Sequence, residues 1–180
     1  MYQPMADLWM DFKRDSQQVK DYSRTLNLAD ASVVTQYKVG DNRFKHTYFA
    51  SYPDHIMVFR LEALDEELLH CKLYLSTPHK PTETLSLKDN FLRLEGKAPS
   101  FALRREFSMV ESINDQYKYP ELYDEFGNLR PNANRILYDL KKPGEGLSFE
   151  VRLEVRNVGG TVNYHEDHIQ VDNAKDIIVI

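Results

Sequence analysis

One ten-residue run limits the fold more than any other part of the chain. Within residues 147–156, Leu147, Phe149, Val151, Leu153 and Val155 alternate with Ser148, Glu150, Arg152, Glu154 and Arg156. A period of two places five apolar groups on one face and five polar groups on the other, whereas a helix would scatter both sets around its axis. The run therefore predicts a strand with one buried face. Val158-Gly159-Gly160 reads as a turn, and 161–165 with 168–173 as a hairpin about Glu166-Asp167. Asp176 to Ile180 reads as a last strand with four consecutive apolar residues.

The same reasoning extends upstream. Residues 33–39 and 43–50 predict a hairpin about Gly40-Asp41-Asn42, because Gly and Asn tolerate positive φ. After Ser51-Tyr52-Pro53-Asp54, residues 55–62 predict a third strand. Its middle is apolar at successive positions, as in a central strand covered on both faces. Residues 68–76 supply a fourth. Helical signals are weak and confined to a turn or two at 65–67 or 16–22. Residues 111–135 show no periodicity and read as a long excursion, the kind that serves function or an interface. Aromatic residues make up 12% of the chain, which favours strands. The expected fold is an all-β, antiparallel two-sheet β-sandwich with few short helices, spanning 1–180 as a single domain. The final apolar strand would leave a bare sheet edge, which natural sheets avoid. The expectation is therefore part of a larger domain, with Asp176 to Ile180 as an edge open to dimerisation by strand addition.

Composition removes several function classes. Lys and Arg total 23 against 28 Asp and Glu, for a formal charge of -5 and no basic block. That argues against a nucleic-acid partner, since phosphate contacts need clustered cations. No apolar run approaches the ~18–20 residues of a membrane span, and the N-terminal residues do not form a secretion signal. Cys71 is the single cysteine, so no bridge forms within the chain.

The search for chemistry returns little. Glycine-rich nucleotide motifs and the Gly-x-Ser-x-Gly elbow are missing. Cys71, among Leu69, Leu73 and Leu75, reads as a small buried hydrophobe. His165 and His168 flank Glu166-Asp167 on a turn, and a solvated turn is preferred to a metal site, which needs about four placed ligands. Asp7 with Asp11, or Asp124 with Glu125, are carboxylate pairs in sequence only, and solvated or capping roles are preferred. No metal, cofactor or catalytic residue is expected. Residues 117–126 carry Tyr117, Tyr119, Tyr123 and Phe126 beside Glu121, Asp124 and Glu125. Rings that stack on C–H faces and acids that accept from hydroxyls suit a sugar. The other reading is that the rings anchor the excursion to its own domain or a neighbour. Trp9 is an outlying candidate for the same contact.

Several segments together resemble one family. Tyr2-Gln-Pro-Met-Ala-Asp-Leu-Trp-Met-Asp-Phe12 and Tyr22-Ser-Arg-Thr-Leu-Asn-Leu-Ala-Asp-Ala31 are similar to stretches of glycoside hydrolase family 95, the α-L-fucosidase type. So are Phe49-Ala-Ser-Tyr-Pro-Asp54 with Val58-Phe-Arg-Leu61, Leu94-Glu-Gly-Lys-Ala-Pro-Ser100, Leu147 to Val155, Gly159-Gly-Thr161 and Asp172-Asn-Ala-Lys-Asp176. Residues 107–135 are least alike. The resemblance implies an N-terminal β-sandwich of the supersandwich kind, joined in the whole enzyme to an (α/α)6 barrel that performs inverting hydrolysis of α-L-fucosides or L-galactosides. It implies that the catalytic residues lie in the barrel, that the barrel is this chain's partner, and that the parent enzyme is exported. The family's upstream segment, rich in Gly and Asn, is not in the chain, so the resemblance also implies a start and a stop inside the N-terminal domain. A stand-alone carbohydrate-binding module and a β-sandwich interaction protein are the alternatives.

Overall fold

A computed structural model of the chain describes residues 3–12, 14, 18–138 and 146–180. The strands are β1 (Asp7–Asp11), β2 (Val19–Asn27), β3 (Ser32–Val39), β4 (Asn42–Ser51), β5 (Ile56–Ala63), β6 (Leu69–Ser76), β7 (Thr84–Lys88), β8 (Phe91–Lys97) and β9 (Phe101–Ala102). After the short helix α1 (Phe107–Ser112) come β10 (Ile136–Leu137), β11 (Ser148–Leu153), β12 (Val155–Val158), β13 (Thr161–Tyr164), β14 (Ile169–Ala174) and β15 (Asp176–Val179). The fold is all-β and sandwich-like, as the alternation predicts.

The chain divides into two compact units. The larger comprises Ala6–Ser76, Thr84–Leu94 and Glu150–Ile180. Two of its sheets are a six-stranded one, ordered β12-β15-β5-β4-β3-β2, and a four-stranded one, ordered β1-β6-β14-β13. Strand β6 explains the packing. Leu69, Cys71, Leu73 and Leu75 are buried, and the residues between them point away. Those four meet Phe44, Leu61 and Ala63 of the six-stranded sheet and Ile169 and Val171 of β14 in one core. Strands β7, β8 and β11 form a three-stranded sheet, and Leu92, Leu94 and Leu153 join the same core.

The smaller unit comprises Met1–Met5, Thr77–Glu83 and Glu95–Phe149. Its described part has a separate core of Leu103, Val110, Leu122 and Tyr123. The expected featureless excursion is therefore folded: α1 supplies Val110 and Phe107 to that core, and a turn of 3-10 helix follows at Gln116–Lys118. A six-residue helix is too short to leave a period in the sequence.

Several expectations change. The run 147–156 does not form one strand, because β11 and β12 lie in different sheets. Glu154 marks the switch, and its amide still bonds Ile180. The alternation survives because neither half flips its faces. The last strand is not an edge. β15 pairs with β12 on one side and β5 on the other, and Ile177 and Val179 are fully buried. Both rows of its backbone groups are used, so the expected dimer has no free edge there. Finally, Val19–Asn27 is a strand where a helical turn was expected at 16–22, while 16 and 17 lie outside the described residues. β2 is the outer strand of its sheet, exposed along most of its length, with a bulge between Lys20 and Ser23. No apolar period marks it in the sequence. Residues 65–67 form no helix either: Asp65 accepts from the Arg43 amide at 2.7 Å and from its guanidinium. Strand β5 is internal as expected, yet only its Leu61–Ala63 end is well covered, and Met57 is exposed.

One polar cluster sits inside the larger unit. His46, 5% exposed, bonds Tyr37 Oη through Nε2 at 3.2 Å and Tyr48 Oη through Nδ1 at 2.9 Å. Arg14 donates to Tyr37 Oη at 3.0 Å and lies 3.6 Å over the Phe44 ring. The Phe12 ring stacks on His46 at 5.2 Å. Burial, aided by the Arg14 charge, pushes the imidazole down to about 4. A neutral ring bridging two phenols satisfies every buried polar atom of the group, whereas a second cation beside Arg14 would not be compensated.

Two predictions follow from this packing. Gly160 has φ +66, and a Cβ there would sit 2.1 Å from the Asp172 carbonyl oxygen. Gly40 has φ +58 and open space. Gly160→Ala should lower stability in urea by more than about 2 kcal/mol, and Gly40→Ala by about 1. His46 has its folded pKa below its unfolded one, so the unfolded chain binds the extra proton first. Stability is then full above about pH 6.5 and falls as the pH drops towards 4, by up to about 3 kcal/mol. His46→Gln should remove most of that slope in melts run across this window.

Candidate functional site

The outward face of the four-stranded sheet groups several ligand-competent side chains. Its geometry follows from register. Because Leu69, Cys71, Leu73 and Leu75 face the core, His70, Lys72, Tyr74 and Ser76 face out. On β1 the outward set is Asp7, Trp9 and Asp11, opposite Ser76, Tyr74 and Lys72 respectively. On the other side of β6, Gln170 lies opposite Lys72, and β13 adds Thr161 and Asn163 opposite Asp172 and Gln170.

Trp9 and Tyr74 form the centre. Their ring planes are parallel within 7° and their centroids are 6.0 Å apart. The Trp9 Nε1–H donates to Ser76 Oγ at 2.8 Å, which fixes the indole. Trp9 is nevertheless 49% exposed. Lys72 Nζ lies 6.0 Å from the Tyr74 centroid. Gln170 Nε2 donates to Asp172 Oδ1 at 3.1 Å, and His70 Nδ1 is 3.3 Å from the same oxygen. Asp7 and Asp11 stand four residues apart on one strand, about 13 Å by the rise per residue. That is wider than the ~6.5–9.5 Å an inverting glycosidase needs between its carboxyl groups.

At the β13–β14 turn the His165 and His168 rings stack with centroids 4.3 Å apart. His168 Nδ1 lies 2.6 Å from Asp167 Oδ1. That bond, with a contribution from the Lys72 charge, holds the Asp167 carboxyl below its usual range. No group of three or more His, Cys, Asp or Glu among the described residues is arranged to hold a metal ion. Cys71 is buried, and burial pushes its thiol up to about 12, far from nucleophilic use.

The aromatic residues of the excursion lie in the smaller unit and do not share one face. Tyr117 and Phe126 are 77% and 80% exposed. Tyr119 is half-buried, its ring edge-on to Phe101 with centroids 6.4 Å apart. With Arg104, Glu106 and Met109 these two rings line a surface hollow of about 590 Å³. Tyr123 is 2% exposed and packs edge-on against Phe107 inside the small core, so its ring offers no face to a ligand. The neighbouring acids serve the fold. Asp124 accepts from the amides of Phe126 and Asn128 at 2.9 and 2.8 Å, and those bonds, led by the Asn128 amide, lower its pKa. Asp115 takes Lys118 at 2.7 Å and Arg105 at 2.9 Å, and is lowered by both.

Sequence reasoning singled out Trp9 but missed its partner Tyr74. The signal was present, since the alternation of 68–76 puts Tyr74 on the polar face. What sequence could not supply was the pairing of two segments 65 positions apart.

No curated protein matches the chain. The family described as glycosyl hydrolase family 65, N-terminal domain, matches it over residues 1–180. The segment likeness to family 95 is therefore corrected at the level of the family: the match carries a glycoside-hydrolase N-terminal domain, and neither family 95 nor a fucosidase specificity. With all 180 residues inside the match and an all-β fold beneath it, the chain belongs to the family of glycosyl hydrolase family 65 N-terminal domains.

Proposed function

We propose that this chain is a non-catalytic β-module of a glycoside hydrolase, acting in the whole enzyme as scaffold for an (α/α)6 barrel that cleaves α-L-fucosides or L-galactosides. The observation that carries the reading is the match to an N-terminal domain over every residue of the chain. The finer specificity is supported by the likeness of Phe49-Ala-Ser-Tyr-Pro-Asp54 and its companion segments to family 95.

The electrostatics agree with a scaffold. A general acid working near neutral pH needs its carboxyl pKa raised to about 6 by an apolar surround. Among the described residues, each carboxyl with a resolved shift moves the other way. Asp65 is held at about 2 by hydrogen bonds from Arg43, and Glu150 at about 2 by Arg93 and Arg152. Asp21, Asp30, Asp115, Asp124 and Asp167 are lowered by bonds from neighbouring side chains and amides. Such groups stay ionised and act as structural acceptors. The exposed rings of Tyr117 and Phe126, with exposed Met109 and Ile113 in the same unit, suit contact with the barrel better than a solvated surface.

The purified chain should release no fucose from 2′-fucosyllactose or from a synthetic α-L-fucoside, and no L-galactose from the matching galactoside. Turnover that copurifies with the chain and disappears on a single substitution within it, such as Asp124→Asn, would overturn the reading.

A further inference from the structure

We infer that the outward face of the β1-β6-β14-β13 sheet binds a neutral saccharide chain, laid across the Trp9–Tyr74 pair. The inference goes beyond the scaffold reading and does not depend on it. A scaffold needs only the inner faces of its sheets, and this face is spent on none of the core.

The chemistry of the face selects the occupant. The outward positions of its four strands carry no Leu, Ile, Val or Met. Protein partners are held by an apolar interface core with aliphatic and aromatic anchors, and this face has only the two rings. Asp7, Asp11 and Asp172 outnumber Lys72, so a polyanion, whether nucleic acid, sulfated glycan or acidic lipid, would be repelled. A neutral sugar avoids both costs. Its C–H faces pack on the exposed indole and on Tyr74, and its hydroxyls find acceptors in the Asp7 and Asp11 carboxylates and the Gln170 side-chain carbonyl, and a donor in Lys72. The rings are already ordered. The indole N–H is held by Ser76 at 2.8 Å and the two planes are parallel within 7°, so little rotamer freedom is lost on binding. β1 and β6 also pair antiparallel without a register shift at this point, from Asp7 opposite Ser76 to Asp11 opposite Lys72, about 13 Å along the strand. That spacing accommodates several sugar units along the strands.

Trp9 is the chain's only tryptophan, so its fluorescence reads this face alone. The chain is titrated with 2′-fucosyllactose, maltotetraose and xylotetraose, each to roughly ten millimolar, following Trp9 emission and its quenching by acrylamide. At least one sugar should shift the emission to the blue and shield Trp9 saturably, and dextran sulfate should do neither. Tyr74→Ala, with an unchanged far-UV spectrum, should weaken the binding about tenfold or more. A Lys72→Ala, Gln170→Ala double variant, which leaves both rings in place, should weaken it as well and covers the case in which Tyr74→Ala does not fold. No saturable change with any of the three sugars overturns the inference. So does an affinity unaltered by the folded variants. Neither result touches the hydrolysis assay, so failure here and failure of the scaffold reading are told apart.

Discussion

Ile177 and Val179 enter the core from a strand that is hydrogen-bonded on both sides, and the larger unit is organised around that placement. β15 joins β12 to β5. Without it the six-stranded sheet would fall into a four-stranded piece and a stray strand. Its side chains close the inner face beside Leu61, and Asp176 accepts from the Arg60 guanidinium at 3.0 Å through Oδ2 and Nε. The corner before it is equally constrained. The Lys175 carbonyl accepts from the Ala63 amide at 3.0 Å, and the Lys175 amide donates to Val158 at 2.8 Å. Gly159 and Gly160 take the opposing turn with positive φ. These backbone bonds let the chain pass from one sheet to the other without leaving buried polar groups unpaired.

Several strands with a buried face were legible in the sequence. Val33 to Val39, Arg43 to Ala50, Leu69 to Ser76 and the 161–173 hairpin fall where alternation and turn residues put them, because burial of one face writes itself into a period of two. Most elements that escaped have incomplete burial or are short; β8 escaped as well, although its Leu92 and Leu94 are fully buried. β2 is exposed along most of its length, and its residues obey no apolar period. α1 spans less than two turns. The edge character assigned to Asp176–Ile180 failed for a different reason. An apolar run shows that a strand wants cover, and sequence alone does not show that two distant segments provide it.

The candidate site was legible by half. In sequence Trp9 is only an outlying aromatic, and nothing there marks 7–11 as a strand; the structure sets it on β1 beside Tyr74. Tyr123 stood out for the same residue chemistry and proved to be core. The difference lies in its neighbours, since Leu122 and Val110 close over Tyr123 while Asp7 and Asp11 keep Trp9 in solvent. Aromatic content therefore nominates positions, and the tertiary environment sorts platform from core. The same sorting separates exposed Tyr117 and Phe126, in a unit that also exposes Met109 and Ile113, from Trp9 and Tyr74, on a surface of acids and amides. The first composition suits protein contact, the second a polyhydroxylated ligand.

The claim on which the account rests is that β15 is an interior strand of the six-stranded sheet, closing the core of the larger unit. Amide hydrogen exchange at Ile177, Ile178 and Val179 tests it directly, because successive amides of a strand point to opposite neighbours. Interior placement predicts slow exchange at all three, comparable to Leu61 in β5. Protection that alternates along the strand, or exchange as fast as that of the exposed residues of β2, would contradict it.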